Sequence, residues 1–347
     1  MKLKWKRIRL RASTTALFLV ICIFLCWRSG MHDHLFELSF SKFSWPPYAD
    51  VRQQVILELM GENSSRPYEN DWNKYKAIVE PKCSSLFNSS KKLRNFLLIV
   101  VKSAVANVKN RYAIRSTWGS ASNYSSYSFY VKIVFILGLD QSTGTPIQES
   151  IKLEAKHYGD VLIGNYIDAY RNNTLKFLSA IQLAFNYCSH SESVPFSFFV
   201  DDDYYVSIPN LLMEIKKHRA HDRIYMGWRI DTTPFRFRFH KHRVSLAEYP
   251  FDRYPPYISA GAILFSRQSI REIYYAIQHV RIFNFDDIYC GIIAYFLGLP
   301  VTHNIWMWYG YIKFFSEDYF KKIICAHGFS PREMQSTYDR WQSNAVH

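Results

Sequence analysis

After its first twelve residues this chain has no basic run long enough to track a phosphate backbone. That absence argues against a nucleic-acid surface as the reason for its net charge of +14. Six of the cations, Lys2, Lys4, Lys6, Arg7, Arg9 and Arg11, stand before residue 12 with no acid among them. Residues 12–27 then lack charge altogether and hold only three hydroxyl side chains. No small-x-small cleavage site follows them, because Cys26, Trp27 and Arg28 are bulky. Internal repeats and low-complexity tracts are missing too, which excludes solenoid and array architectures. Cysteine is scarce. Cys22 and Cys26 fall inside the apolar segment, leaving Cys83, Cys188, Cys290 and Cys325. Four cysteines allow three pairings, and free buried thiols are the alternative.

What is present is a chain of 347 residues, 48% hydrophobic and 17% aromatic, enough to bury a sizeable core. The rival readings of the N-terminal segment are a cleaved signal peptide and a signal anchor. The apolar stretch is short for a span, which takes roughly 17–25 residues. Leu10 and the snorkelling Arg11 and Arg28 extend it. Without a cleavage site the anchor is favoured, as a single-pass type II arrangement. It comprises a basic cytoplasmic tail at 1–11 and a transmembrane helix at 12–28, with everything after Arg28 lumenal. Four glycosylation triplets, at Asn63, Asn88, Asn123 and Asn172, agree with a lumenal body.

Residues 29–92 are polar, punctuated by proline, glycine and serine, and read as a stem. A compact domain is expected over 93–347. Phe96-Leu-Leu-Ile-Val-Val101, Val131 to Leu137, Asp160-Val-Leu-Ile163 and Phe196-Ser-Phe-Phe-Val200 are apolar runs of the kind that form strands buried on both faces. Helical stretches separate them, at 111–118, 147–158 and 174–187. Alternating strands and helices predict an α/β fold with a mostly parallel sheet.

Asp201-Asp202-Asp203 follows the last of these strands directly. In open α/β sheets the carboxyl ends of strands are where ligands bind. Three adjacent carboxylates repel one another unless a cation neutralises them, and Asp201 and Asp203, two apart, can face the same way. Hard divalent ions such as Mn²⁺ or Mg²⁺ take such oxygen ligands and share them with substrate phosphates. The plainer alternative is a solvated acidic turn. A second acidic pair, Asp286-Asp287, opens a helical stretch that runs to Leu297; helix capping and a general base are its two readings. Between the two clusters, Tyr254-Pro-Pro-Tyr257 followed by small residues to Gly261 makes a rigid turn where backbone can come close to a ligand.

In order along the chain, several segments resemble the β-1,3-galactosyltransferase family (glycosyltransferase family 31). They are Arg111-Tyr-Ala-Ile-Arg-Ser-Thr-Trp-Gly119, Val134-Phe-Ile-Leu-Gly138, Asn165-Tyr-Ile-Asp168 with Asn173-Thr-Leu-Lys176, Asp201-Asp-Asp203, Tyr254-Pro-Pro-Tyr257, Asp286-Asp-Ile-Tyr-Cys-Gly291 and His327-Gly-Phe-Ser-Pro-Arg-Glu-Met334. The resemblance covers residues 83 to 341. It implies a GT-A-type single α/β domain in a Golgi type II membrane protein. It also implies an inverting hexosyltransferase that uses a UDP-sugar and Mn²⁺ to glycosylate a glycan acceptor on a glycoprotein or glycolipid. Carried over by position, Asp203 with Asp201 would hold the metal, with His327 as the third candidate ligand. Asp287 would be the base on the acceptor hydroxyl. Arg111, Arg115, Asp168, Lys176, Asp201 and Asp202 would belong to the donor pocket. Cys83 and Cys188 fall at family cysteine positions, which implies a bridge between them. The sequence departs from the family at Val200, Ser207 and the Ile-Ser-Ala-Gly-Ala-Ile that follows Tyr257, so the motifs leave both galactose and an N-acetylhexosamine open as donor sugar. They also leave open a catalytically silent partner of another transferase, although the retained acidic residues argue against that.

Overall fold

The computed structural model describes residues 2–46, 48, 50–83, 95–120, 129–141, 146–187, 194–311 and 317–344. Cys188, Asn88, Asn123 and Leu93 lie outside the described residues. The chain divides into two units: Met1–Ser44 with Asp231–Tyr254, and Trp45–Ile230 with Pro255–His347.

The larger unit is built on one eight-stranded sheet. Four strands form its centre: β2 (Phe96–Lys102), β3 (Tyr130–Leu139), β4 (Val161–Ile167) and β5 (Phe196–Asp201). Adjacent ones pair in parallel, in the order β4-β3-β2-β5. Every residue of β2 is buried, as the continuous apolar run demands. The crossovers are α3 (Val108–Ser116), α4 (Pro146–Tyr158) and α5 (Asn173–Asn186).

Beyond this parallel centre, which was expected, the sheet is mixed. On one flank β1 (Ala77–Val79) pairs antiparallel with β4. On the other, β8 (Tyr257–Ser266) lies antiparallel to both β5 and β7 (Tyr225–Ile230), and β9 (Val301–His303) closes the edge parallel to β7. Parallel neighbours are usually joined by a crossover helix, and no helix stands between β7 and β8. A smaller sheet orders β10 (Met307–Tyr311), β11 (Cys325–His327) and β6 (Tyr204–Val206).

Residues expected to form a stem are partly incorporated into this unit. Helix α2 (Val51–Leu59) is capped by the Asp50 side chain, which accepts from Gln53 N–H. It buries Val51 and Val55 and packs on α7 (Arg267–His279). Buried Glu58 meets His279 Nε2 at 3.1 Å and accepts from the Tyr68 hydroxyl at 2.9 Å. The Trp45 indole donates to the Arg281 carbonyl. The buried positions Trp45, Val51 and Val55 stand several residues apart, so no long apolar run marks them in the sequence.

The smaller unit begins with α1 (Lys2–Ser29), so the segment expected as an anchor is helical. Among the described residues no helix is long and apolar enough to cross a membrane. The unit is organised around the guanidinium of Arg236, which is almost wholly buried. It pairs with Glu37 at 2.7 Å and donates to the carbonyls of Val244 and Phe251.

Cys83 is disulfide-bonded, and Cys22, Cys26, Cys290 and Cys325 are free. The expected partner Cys188 lies outside the described residues.

Candidate active site

Register brings the first two charged groups together. β2 and β5 pair from Leu97↔Phe196 to Lys102↔Asp201, and that last pair lies at the carboxyl end of both strands. Lys102 Nζ stands 3.1 Å from Asp201 Oδ1. It also donates to Asp286 Oδ2 at 2.7 Å. Asp286 is the first residue of α8 (Asp286–Leu297), so one lysine ties the Asp-Asp-Asp turn to the helix carrying the second acidic pair. Burial disfavours the ammonium, but the two carboxylates outweigh it and hold its pKa above the ordinary lysine value. Lys102 does not stand out in the sequence as a site residue. The available signal was a cation ending an otherwise apolar strand, since a buried lysine must be paired.

The three aspartates of the turn go to three different places. Asp201 is half-exposed. Burial, with Asp286 and Asp203 as like charges, pushes its carboxyl up to about 6, against the pull of Lys102. Asp202 is buried and turns inward. It accepts from Ser103 Oγ at 2.6 Å and from Asn107 Nδ2 at 3.0 Å, so it locks the turn to the loop before α3. Asp203 Oδ2 lies 3.0 Å from His327 Nε2. The second sheet sets that pairing: β11 runs antiparallel to β6 with His327 opposite Tyr204. The amides of Gly328 and Phe329 then donate to the Asp203 carbonyl at 3.0 and 2.9 Å. Gly328 has φ +92, a turn conformation that suits glycine.

Asp287, next to Asp286 in the first turn of α8, is half-buried and accepts from Ile288 N–H at 2.8 Å. Burial raises its proton affinity and the neighbouring Asp286 charge adds to that. Together they hold it well above the usual carboxylate range despite Lys102. The charges of Asp287, Asp286 and Asp201 all raise the Tyr170 phenol after burial does, so the three carboxylates converge on one region.

The residues expected to line a donor pocket occupy two settings. Asp168 and Lys176 pair at 2.7 Å, with Asp168 also accepting from Gly138 N–H and Lys176 donating to the Ser103 carbonyl. Arg111 is fully buried. It is bidentate to Glu154 and donates to Ser103 Oγ and the Ala104 carbonyl, which braces the loop holding Asp202. Arg115 pairs with Asp160 and Glu154 over the Tyr158 ring, and Asp160 precedes β4, so this group sits at the amino end of the sheet. The structure therefore brings Asp201, Asp286, Asp287 and Lys102 together, and Asp203 with His327, while Arg111 and Arg115 are engaged within the scaffold. Among the described residues no group of three or more His, Cys, Asp or Glu is arranged to hold a metal ion.

Two motif residues find structural work here. Buried Trp118 donates its indole N–H to the Tyr204 carbonyl at 3.1 Å, tying the end of the first motif to the acidic turn. Gly261, expected in a turn where backbone approaches a ligand, lies instead within the strand β8 and is approached by a side chain: a Cβ there would lie 2.0 Å from the Tyr204 hydroxyl.

The carboxylates gather at the carboxyl ends of the strands of a mixed α/β sheet, the place where such sheets bind ligands. Residues 109–305, more than half the chain, match the family model described as Galactosyltransferase. The sequence is 34% identical over 338 residues to beta-1,3-galactosyltransferase bre-5 of Caenorhabditis elegans, covering 97% of this chain and 96% of the relative. It is 32% identical to beta-1,3-galactosyltransferase brn of Drosophila melanogaster, with 99% of both chains covered. To the mouse UDP-GalNAc:beta-1,3-N-acetylgalactosaminyltransferase 1 it is 30% identical, over 69% of this chain and 72% of that one. The chain belongs to the β-1,3-galactosyltransferase family, glycosyltransferase family 31.

Proposed function

We propose that this protein is an inverting β-1,3-hexosyltransferase that moves galactose from UDP-galactose onto a hydroxyl of a glycan on a glycoprotein or glycolipid. The observation that carries the reading is Asp287. It is a half-buried carboxylate at a helix N-terminus with raised proton affinity, beside the acidic turn at the strand ends. Such a group takes the proton of an attacking hydroxyl as the new bond forms. A single displacement inverts the anomeric carbon, so one base suffices and no covalent nucleophile is required. Lys102 fixes the base-bearing helix against Asp201 through Asp286.

Asp203 and His327, whose oxygen and nitrogen lie 3.0 Å apart, are the residues that would hold a divalent ion. Mn²⁺ or Mg²⁺ held there would leave positions for donor phosphate oxygens and water. Bound, the ion supplies Lewis-acid neutralisation of the diphosphate leaving group. Asp201 stands beside that pair with one oxygen on Lys102. Asp168 and Lys176 are the remaining donor-side candidates.

Two features support a Golgi type II anchor with the body in the lumen: the cationic tail and the uncharged segment 12–27. N-acetylgalactosamine as the donor sugar is a second reading, favoured by the mouse relative whose name specifies UDP-GalNAc. The test is the structure of the product. The full chain is supplied in turn with UDP-galactose, UDP-GalNAc and UDP-GlcNAc and a panel of glycan acceptors, and the linkage is read by NMR. A β-1,3-galactosyl product supports the first reading and a β-1,3-GalNAc product the second. An α-linked product removes the inverting mechanism.

A further inference from the structure

Within the smaller unit the usual rule of burial is inverted. Pro234-Phe-Arg-Phe-Arg-Phe-His-Lys-His-Arg243 alternates rings with cations. Its first arginine, Arg236, goes inside to meet Glu37, while Phe235, Phe237 and Phe239 are exposed, Phe239 by 76%. Arg238 and Lys241 are exposed among those rings, and no acid stands between Asp231 and Glu248. Leu35 and Phe36, exposed by 82% and 66%, immediately precede Glu37 and so lie beside the same segment.

The patch has a fixed position relative to α1. Arg238 N–H donates to the Ser29 carbonyl at 2.8 Å. The Arg238 guanidinium lies 5.7 Å from the Trp27 ring centroid. Gly30, at φ +83, permits the approach: a Cβ there would stand 2.6 Å from the Arg236 carbonyl oxygen. Through Arg236 and Arg238 the ring-and-cation segment therefore adjoins the end of the helix that carries the exposed apolar residues from Leu17 to Trp27.

We infer that residues 235–241, with Leu35 and Phe36, are a collar that seats in the headgroup region of a phospholipid bilayer where α1 emerges. This rests on the anchor reading above. Aromatic rings favour the level between acyl chains and water, and arginine and lysine there meet lipid phosphates. A short apolar helix gains most from such a collar, because interfacial anchors fix its depth. Continuity with the apolar helix favours a bilayer over a soluble acidic polymer, since the helix end and the patch would meet the same phase.

The test uses the full chain with Phe239→Cys in a Cys22→Ser/Cys26→Ser background, labelled with an environment-sensitive fluorophore and reconstituted into phosphatidylcholine–phosphatidylserine vesicles. Flotation reports the anchor, and quenching reports the collar. The expected result is co-flotation with label emission quenched by a headgroup-level spin-labelled lipid and shielded from aqueous iodide. A charge-reversed Arg238→Glu/Lys241→Glu chain, folded by circular dichroism, should float and lose the lipid quenching, with each cation contributing roughly fivefold to interfacial partitioning. A floating chain whose label is open to iodide and untouched by the lipid quencher overturns the collar and leaves the anchor standing. A label shielded from iodide but insensitive to the lipid quencher means that protein or a polyanion covers the patch, which also overturns it. A chain that fails to float removes the anchor and the collar together.

Discussion

Lys102 and Asp201 face each other in the last register pair of β2 and β5, with the ammonium 3.1 Å from the carboxylate. The same ammonium donates to Asp286 at 2.7 Å, so the strand pairing that forms the sheet centre also fixes the distance between the two acidic clusters. The fold positions the chemistry through this one cation.

Removing that cation leaves buried Asp286 without its counter-charge. Breaking a buried pair from one side costs about 3–5 kcal/mol. Lys102→Met should therefore lower the melting temperature sharply and reduce transfer. Adding Asp286→Asn to Lys102→Met should recover part of the stability, with a coupling of roughly 0.5–3 kcal/mol in a double-mutant cycle. Strictly additive losses in that cycle would show that the pair does not hold α8 in place.

How much of this was legible beforehand depends on whether a feature is local. The apolar runs of β2, β3 and β5 announce buried strands, and Asp201 to Asp203 at the end of β5 announce a site. Strand direction is not local: β8 is apolar for much of its length whichever way it pairs, so its antiparallel placement was not readable. Lys102 gave only a weak signal, because its partners are 99 and 184 positions away in the chain. The role of Asp202 was hidden as well. Three identical letters in a row do not say which carboxylate turns inward to Ser103 and Asn107. Arg111 illustrates a further limit, since motif position identified it but not that its charge is spent on Glu154.

The pH dependence follows from Asp287. Burial and then Asp286 raise its proton affinity, with Lys102 opposing, while Asp201 and the Tyr170 phenol complete the charged and titratable surroundings. As a base it must be ionised, so transfer should fall, as pH is lowered, at a higher pH than an ordinary carboxylate would give. For stability the sign is opposite. A raised folded-state pKa contributes stability that is complete below the unfolded value and is lost as pH rises through the folded one. Asp286→Asn removes the second cause and should shift the acid limb of kcat toward lower pH. An unmoved limb would assign that ionisation to another group.

Gly261 should tolerate no side chain. Its Cβ would fall 2.0 Å from the Tyr204 hydroxyl and 2.5 Å from the ring, and Tyr204 is itself buried beside Asp203. Gly261→Ala should cost about 1–3 kcal/mol in thermal or denaturant unfolding. It should also weaken UDP binding if Tyr204 is displaced. Unchanged stability would mean that Tyr204 and the strand yield freely.

Cys83, within the larger unit, is disulfide-bonded. Cys83→Ser should destabilise that unit by about 2–5 kcal/mol, read from the urea midpoint. An unchanged midpoint would mean the bond closes no constraining loop.

The role of Asp287 as the base is tested most directly by acceptor-dependent UDP release, measured side by side for the wild-type chain and for Asp287→Asn, with UDP binding followed calorimetrically in both. Release is expected from the wild type only when donor, acceptor and divalent ion are all present. In Asp287→Asn the expected result is a loss of roughly 10²–10⁴-fold in rate with UDP binding retained. Release at the wild-type rate from Asp287→Asn, or loss of UDP binding along with activity, would contradict the assignment of Asp287 as the base.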